Sequence, residues 1–449
     1  MRGFYSYLII LAAIAVVPAC TKQDVAPNPV TTEEDILAAG KCGRTSSLVA
    51  TEWMQLLRTV VQSEGKNPPQ ASRIYAYSAI GLYESSVPGM SGYLSLENQI
   101  PGLINLPNKY KRGQLDFTLA ANEVLYQIST KIFGTLKQSN IDMIEALHKK
   151  YNDAALLTLK TKEIAETMDF AQKVAVAVMN RADNDNFATT RSLVYVVPSN
   201  VVNPSYWTPT GPALNPVEPY WGTLKCFSMP NGAACTIPST IPFSTTLGSP
   251  FYNQALEVVT TTSNLSQSQK DIALWWADGG GTPTPPGHWI SIASSIANAK
   301  QLSLEDAAEM YAKLNIAMAD AFISCWNEKY RFNLLRPVSY IRTYIPGQTT
   351  WSSFITTPPF PEYPSGHSVS SGAAASVLTK LLGSFSFIDS TNKVFGLTSR
   401  NFTSFTEAAN EAALSRLYGG IHFREAIDKG VLQGKEVSNA LDKNIRFRR

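Results

Sequence analysis

Cations, hydroxyls and imidazoles recur at short spacings between Lys329 and His422, and their types suit an oxyanion. Reading every seventh residue from Ala308 gives Asn315, Phe322, Lys329 and Arg336. Seven residues are about two helical turns, so these positions fall nearly on one stripe. The neighbouring stripe of Leu304, Tyr311, Met318 and Cys325 is apolar. Two cations thus continue a face that is otherwise mostly buried, where an unpaired charge is costly enough to demand a partner. Taken alone, the pair reads equally well as a helix emerging into water. Phe405, Ala409, Ala412 and Arg416 repeat the arrangement, an apolar stripe ending on a guanidinium. His422 follows, and Gly419 and Gly420 between them permit a break that aims both side chains at one point. In isolation Arg416 would be a C-terminal cation favoured by the helix dipole, and a lone histidine is usually structural. The third piece is Pro364-Ser365-Gly366-His367 ahead of a small-residue run from Ser368 to Ala375. Pro and Ser open a helix, Gly lets the backbone approach a ligand, and the exposed N–H groups with the dipole make an anion site. The Ser365 hydroxyl and Gly366 N–H would donate to the oxyanion and His367 would move protons; by itself the motif is an ordinary helix cap.

The elements that must position these residues are helical. Apolar residues recur at helical spacing over 47–64, 70–86, 115–134, 139–150 and 161–182, with few alternations that suggest strands. From 186 to 250 the pattern breaks into a segment rich in Pro and aromatics, including Trp207, Pro209, Pro212, Pro219 and Trp221. Aromatic residues want burial, so this length reads as an ordered functional loop or wrapping arm. Ser266 and Gln269 have capping-box spacing before a helix to Trp276, and Asp278 to His288 reads as loop. Ser303 with Asp306 opens a helix running to Asn333, with Pro337 stopping it. Further helices fit 366–382, 404–417 and 422–442, and no long repeat stands out.

Taken in order, the three pieces are more specific than any one of them. Lys329 to Pro337 (Lys-X6-Arg-Pro), Pro364 to His367 (Pro-Ser-Gly-His) and Ser415 to His422 (Ser-Arg-X5-His) resemble the signature shared by vanadium-dependent haloperoxidases and the type 2 phosphatidic acid phosphatase superfamily. The stretch from Trp276 to Trp289 and the aromatic segment also look like bacterial haloperoxidase relatives. The resemblance implies an all-α fold, two helical bundles joined by the long aromatic-rich segment. It implies vanadate as cofactor, with His422 as the imidazole ligand of vanadium. Lys329, Arg336, Ser365, Gly366 and Arg416 would hold the equatorial oxygens, and His367 would be the acid/base partner of the apical oxygen. Donors and cations without facing acceptors suit such an anion. Hydrogen peroxide and halide would be the substrates, with Lys329 helping to polarise the peroxide and organic acceptors as further partners. Trp326 and Phe360 occupy places where aromatics line the halide site, although both also fit ordinary core packing. Asp278 is a candidate partner for the arginines.

The same cradle would hold phosphate, with His422 as nucleophile in an exported acid phosphatase. Against that stands the position four residues past His422. Phosphatase members commonly carry an orienting acid there, whereas this chain has Ala426, with Glu425 and Asp428 offset. A non-catalytic binding lipoprotein is a third class, disfavoured because a lapsed site has no reason to keep a full set of donors. Iodide, the easiest halide to oxidise, is the minimal expectation, and bromide stays open.

The whole chain bounds these readings. It has 449 residues, 44% apolar and 16% charged, enough for a sizeable core. A formal charge of +3 with no long Lys/Arg run gives no reason to expect nucleic acid as a partner. Arg2, the apolar run from Leu8 to Val17 and Pro18-Ala19-Cys20 read as a signal peptide over 1–19. Ala19-Cys20 resembles a bacterial lipoprotein box, which would make Cys20 the lipidated residue. The mature chain would then be exported and held at a bacterial membrane by lipid alone. A flexible tether over 20–44, an N-terminal helical half over 45–185, the aromatic arm over 186–250 and a catalytic half over 251–449 complete the organisation. The arm would suit a partner subunit in a homo-oligomer. Cys226 and Cys235 flank a Pro-Asn-Gly turn and are candidates for a disulfide, and Cys325 reads as inert core. His148 reads as solvent exposed, and His288 as a candidate buttress of the pocket.

Overall fold

The computed structural model describes residues 45–107, 114–210 and 215–449. Cys20, Cys42 and the leader and tether lie outside the described residues, as does Pro212. Five helices form the first half: α1 (Leu48–Ser63), α2 (Pro68–Ser86), α3 (Phe117–Ile132), α4 (Gln138–Thr158) and α5 (Thr161–Asp183). The second half contains α6 (Pro250–Ser263), α7 (Gln267–Trp275), α8 (Thr284–Ala299), α9 (Leu304–Phe332), α10 (Pro337–Tyr344) and α11 (Gly366–Leu382). After a short antiparallel hairpin, β1 (Phe387–Asp389) and β2 (Arg400–Phe402), come α12 (Phe405–Tyr418) and α13 (Arg424–Asn444). The all-α expectation holds, and among its described residues the aromatic segment forms only single helical turns at Phe187–Thr190 and Trp221–Thr223.

Local chemistry sets the boundaries. Asn67 accepts from the Gln70 N–H ahead of Pro68 and Pro69, and Ser266 with Gln269 makes both bonds of the capping box. Ser303 accepts from Asp306 N–H at the start of α9, which is apolar almost all round and lies between α2 on one side and α11 and α13 on another. One contiguous core joins α1 through α5 to this long helix and onward to α11 and α13. A smaller core, with Phe251, Tyr340, Trp351 and Phe423, packs α6 and α10 beneath the C-terminal helices.

Three sequence expectations are corrected. The helix from Ser303 does not carry Arg336. It ends at Phe332 because Asn333 turns left-handed (φ 49°), its N–H donating to the Lys329 carbonyl at 2.8 Å. Arg336 instead caps α10, which Pro337 opens at the first helical position, where its missing N–H costs nothing. Residues 278–288 are not all loop, since Thr284 to His288 form the first turns of α8 by the same tolerance for proline. His148 is half-buried rather than exposed. Its Nε2 lies 2.7 Å from Glu123 Oε2 and its ring stacks on Tyr126 at 3.8 Å. Cys226, Cys235 and Cys325 are free thiols. Among the described residues no helix is long and apolar enough to cross a membrane.

The aromatic segment wraps α9. The Trp207 N–H donates to Asn333 O at 2.7 Å, and the Val217 carbonyl accepts from Trp326 Nε1 at 3.0 Å and the Tyr330 hydroxyl at 2.7 Å. Gly222 permits this approach: a Cβ there would sit 2.5 Å from the Asn327 Cα. A wrapping arm therefore forms one wall behind the aromatic residues of the site.

Candidate functional site

The crossing of α11 and α13 assembles the site. A Cβ on Gly434 would lie 2.0 Å from the Val369 carbonyl, so the two helices approach backbone to backbone. Their N-termini consequently meet, and the Ser365 N–H donates to the Ala426 carbonyl at 3.1 Å. Pro364 to His367 and His422 are thereby held at the positive ends of two helix dipoles. Ser365 caps α11 by accepting from the Ser368 N–H at 3.3 Å, while the N–H groups of Gly366 and His367, in the first turn, have no intrahelical acceptor.

His422 follows α12 through Gly420, which is left-handed at φ 75° and brings the Ile421 N–H back to the Arg416 carbonyl at 3.1 Å. Its Nδ1 lies 2.8 Å from Glu362 Oε1, which also accepts from the Phe423 N–H at 2.9 Å. Because Arg336 Nη1 donates to His422 Nε2 at 3.1 Å, the Nε2 carries a lone pair and Nδ1 the proton. Burial, followed by the charges of Arg336, Lys329 and Arg416, holds His422 well below the ordinary imidazole range.

Glu362 is the functional residue missed by sequence reasoning. The acid that orients His422 comes from the loop before Pro364, sixty positions upstream, and not from the helix that follows. The absence of an acid at Ala426 is therefore no argument against a basic His422. Glu425, offset along α13, instead accepts from Thr240 and Ile241. Burial pushes Glu362 up to about 7 against the pull of Arg336. The available signal was a lone acid between Pro361 and Pro364 beside a cation motif.

Three buried cations surround the imidazole. Arg336 uses Nε on Phe360 O and Nη1 on Ile421 O, at 2.8 and 2.9 Å, leaving Nη2 buried with no partner in the protein. Arg416 donates Nη2 to the Trp276 carbonyl. Burial lowers both guanidiniums to about 10, so both stay charged at neutral pH. Lys329 donates to the carbonyls of Pro361, Glu362 and Pro364 at 2.9, 3.0 and 2.5 Å, which occupies all three of its hydrogens. It thus shapes the loop that presents Glu362 and Ser365, and burial lowers it to about 7.

His367 faces the same pocket, and its Nε2 is buried without a partner. Burial and then Arg416 keep it well below the ordinary range. Both histidines, Arg416 and Gly366 line a cavity of 760 Å³ whose other walls include Trp326, Phe360, Phe322 and Ile355. The rings of Trp326 and Phe360 lie 5.0 Å apart, and Phe360 sits 4.8 Å from the Arg336 guanidinium. Asp278 also lines the cavity, but its hydrogen bonds run to His288 at 2.9 Å and Asn392 at 3.4 Å; it reaches Arg416 only through its charge. His288 is buried between Asp278 and Asp389. Although burial alone would lower its pKa, the two carboxylates raise it to about 10.

This constellation is a cationic pocket with one neutral imidazole lone pair, built for a tetrahedral or bipyramidal oxyanion. Among the described residues no His/Cys/Asp/Glu group is arranged to hold a bare cation. Vanadate fits the donors present: Arg336 Nη2 and His367 Nε2 are buried and unpartnered, the first-turn N–H groups of α11 are free of helical acceptors, and His422 Nε2 offers a lone pair.

Residues 309–447 match the family described as the VCPO second helical-bundle domain. Vanadium chloroperoxidase of Curvularia inaequalis is 31% identical over 124 residues, a match that spans 22% of this chain and only 20% of that protein. The first bacterial vanadium-dependent iodoperoxidase of solved structure superposes with a TM-score of 0.83 at 32% identity, covering 90% of this chain and 97% of that one. A bacterial vanadium-dependent chloroperoxidase in its holo form shares the fold, with a TM-score of 0.64 at 18% identity over 85% and 93% of the two chains. The chain belongs to the vanadium-dependent haloperoxidase family, whose members are enzymes that use peroxide and halide.

Proposed function

We propose that this chain oxidises iodide, and bromide more slowly, with hydrogen peroxide to hypohalous acid, using vanadate held by His422. The observation that carries the reading is the buried cationic cradle around a histidine whose Nε2 lone pair is kept free of a proton by Glu362 at Nδ1. When bound, vanadate supplies Lewis acidity that makes peroxide oxygen electrophilic toward halide. Glu362 fixes the ring and tautomer of His422, so that Nε2 faces the metal position. Arg336 Nη2, the Gly366 N–H and the Ser365 hydroxyl donate to the anion's oxygens, and Arg416 adds charge. Lys329 contributes charge while holding the loop of residues 361–364 in shape. His367 Nε2, buried and unpartnered in the pocket, would accept and return a proton beside the bound anion. Trp326 and Phe360 offer halide a dry approach beside the Arg336 charge. The similarity to an iodoperoxidase over nearly its whole length supports iodide as the first halide to try.

One observation keeps phosphate-ester hydrolysis as a second reading. An imidazole oriented by a carboxylate is also a competent nucleophile, and Glu362 provides that orientation. The deciding experiment loads the apo chain with vanadate and measures peroxide-dependent iodide and bromide oxidation beside hydrolysis of a chromogenic phosphate. Halide oxidation that appears only with vanadate is expected. Phosphate hydrolysis with no halide oxidation in loaded protein overturns the assignment.

The leader motif around Ala19-Cys20 supports export and lipid anchoring as a further part of this reading. Expression with and without Cys20→Ala, followed by membrane fractionation and mass spectrometry of the N-terminus, tests it. A soluble, unmodified wild-type chain would refute the anchor.

A further inference from the structure

The mechanism above draws only on residues from Trp326 onward, yet the first half of the chain closes part of the same cavity. Gly65 to Pro68, where α1 turns into α2, line the 760 Å³ space together with His367, Arg416 and His422. Burial gives this cavity a direction. Arg416, His422 and Trp326 are at most 2% exposed and form its floor, whereas Leu274 at 42%, Phe354 at 39% and the exposed Gly65 and Gly280 form its mouth. Lys66, half-buried beside Gly65, stands at that mouth.

Lys66 is held in place without being neutralised. Its Nζ donates to the Phe133 carbonyl at 3.1 Å, which leaves two of its three hydrogens, and it makes no salt bridge among the described residues. The acids near it are engaged elsewhere. Glu64 accepts from the Lys137 N–H at 2.8 Å and from Asn140, and Glu218, the acceptor for Asn67 and Gln70, is paired with Arg191. Asp278, the acid on the cavity wall, faces the positively charged His288 at 2.9 Å. A second cavity, of 260 Å³, shares Lys66 and adds Arg73, Lys131 and Asp183 to its lining. Arg73 is spent on Asp185 at 2.7 Å, so two lysines there face one aspartate. Cations therefore mark the way from this outer cleft to Arg416 on the floor, between apolar walls that include Pro359 and Phe360. Charges of one sign in a cleft with low-dielectric walls focus the field and concentrate small counter-ions.

We infer that Lys66 steers halide into the cavity, with the cleft it shares with Lys131 as the outer collecting site. A monovalent anion needs potential rather than directional bonds, and the two remaining hydrogens of the Lys66 ammonium offer a passing contact. Hydrogen peroxide is neutral and is not steered. The inference rests on halide as the substrate of this site, and its test reads anion access apart from turnover.

The test is iodide quenching of tryptophan fluorescence in the full chain without vanadate. Trp326 is the tryptophan on the cavity wall, so its share is the difference between each chain and its Trp326→Phe counterpart. At low ionic strength Lys66→Gln should lower iodide quenching of that share by about two- to fivefold, the part of the field that one charge supplies. The difference should fade as salt approaches about 1 M. Lys66→Arg should keep the wild-type value, and quenching by neutral acrylamide should be equal in all three chains. In vanadate-loaded protein Lys66→Gln should raise the KM for iodide by a similar factor, with kcat and the KM for peroxide unchanged within about twofold. Lys131→Gln should lower iodide quenching less, and it decides the matter if Lys66→Gln does not fold. Unchanged iodide quenching at low salt overturns the steering. So does an equal loss of acrylamide quenching, which would mean that the cavity had merely narrowed. A charge-dependent loss of iodide quenching in a chain that oxidises no halide leaves the steering standing and removes the proposed function instead.

Discussion

Two imidazoles enter the cradle from different helix termini, and they differ in what holds them. His422, just ahead of α13, bonds a carboxylate through Nδ1; His367, in the first turn of α11, keeps a buried Nε2 with no partner in the protein. An anionic acceptor raises the electron density on the opposite nitrogen, which suits a permanent ligand to an electrophilic centre. An unpartnered nitrogen facing the pocket is free to gain and lose a proton as the charge there changes. Burial, and after it the Arg416 charge, keeps His367 neutral. One pocket thus makes two chemically distinct histidines from one side-chain type by varying what each ring meets.

The comparison breaks most visibly at His422. His422→Ala should abolish vanadate retention, measured as metal content after dialysis, together with all peroxide-dependent iodide oxidation. If the variant keeps its vanadium, the two histidines have been assigned the wrong way round. His367→Ala should separate the roles: turnover falls by about 10²- to 10⁴-fold, as for loss of an acid/base group, while equilibrium dialysis still finds vanadate bound. Glu362→Gln sharpens the contrast, because the amide oxygen can keep both hydrogen bonds and only the charge is lost. Vanadate affinity should weaken by roughly 10- to 100-fold; unchanged affinity would show that the carboxylate's charge is irrelevant.

The smallest effect concerns His288, the imidazole buried between Asp278 and Asp389. His288 stands at about 10 in the folded chain against an ordinary 6.5, so folding binds a proton to it. Its stabilisation is complete below pH 6.5 and is lost as pH rises through 10. The melting temperature of the wild type should therefore decline across that window, and His288→Gln should flatten the decline. An unaltered slope in a folded variant would mean that His288 is neutral in the native state.

Much of the site was legible because its chemistry is carried by short motifs at helix ends. Pro364 to His367 announced a helix start, and the stripe from Phe405 to Arg416 announced a buried guanidinium, since local periodicity reports which face is buried. The error over Arg336 came from extending that periodicity past Asn333, where a left-handed residue ended the helix and a different element took over. Arg336 still reaches His422, but by a turn rather than along a stripe. Glu362 and Asp389 were invisible for another reason. Each acts on a histidine that is distant in the chain, and no periodic pattern encodes such a pairing.

By itself the sequence determined the helical elements, the three motifs and the cationic, acceptor-poor character of the pocket, because caps, glycines and apolar spacing act within a few residues. Only the tertiary structure decided that Glu362 stands behind His422, that Lys329 faces carbonyls, and that the turn ahead of α2 reaches the cavity. Those outcomes depend on helix crossings and loop paths, whose geometry is set by the whole core rather than by neighbours in the chain.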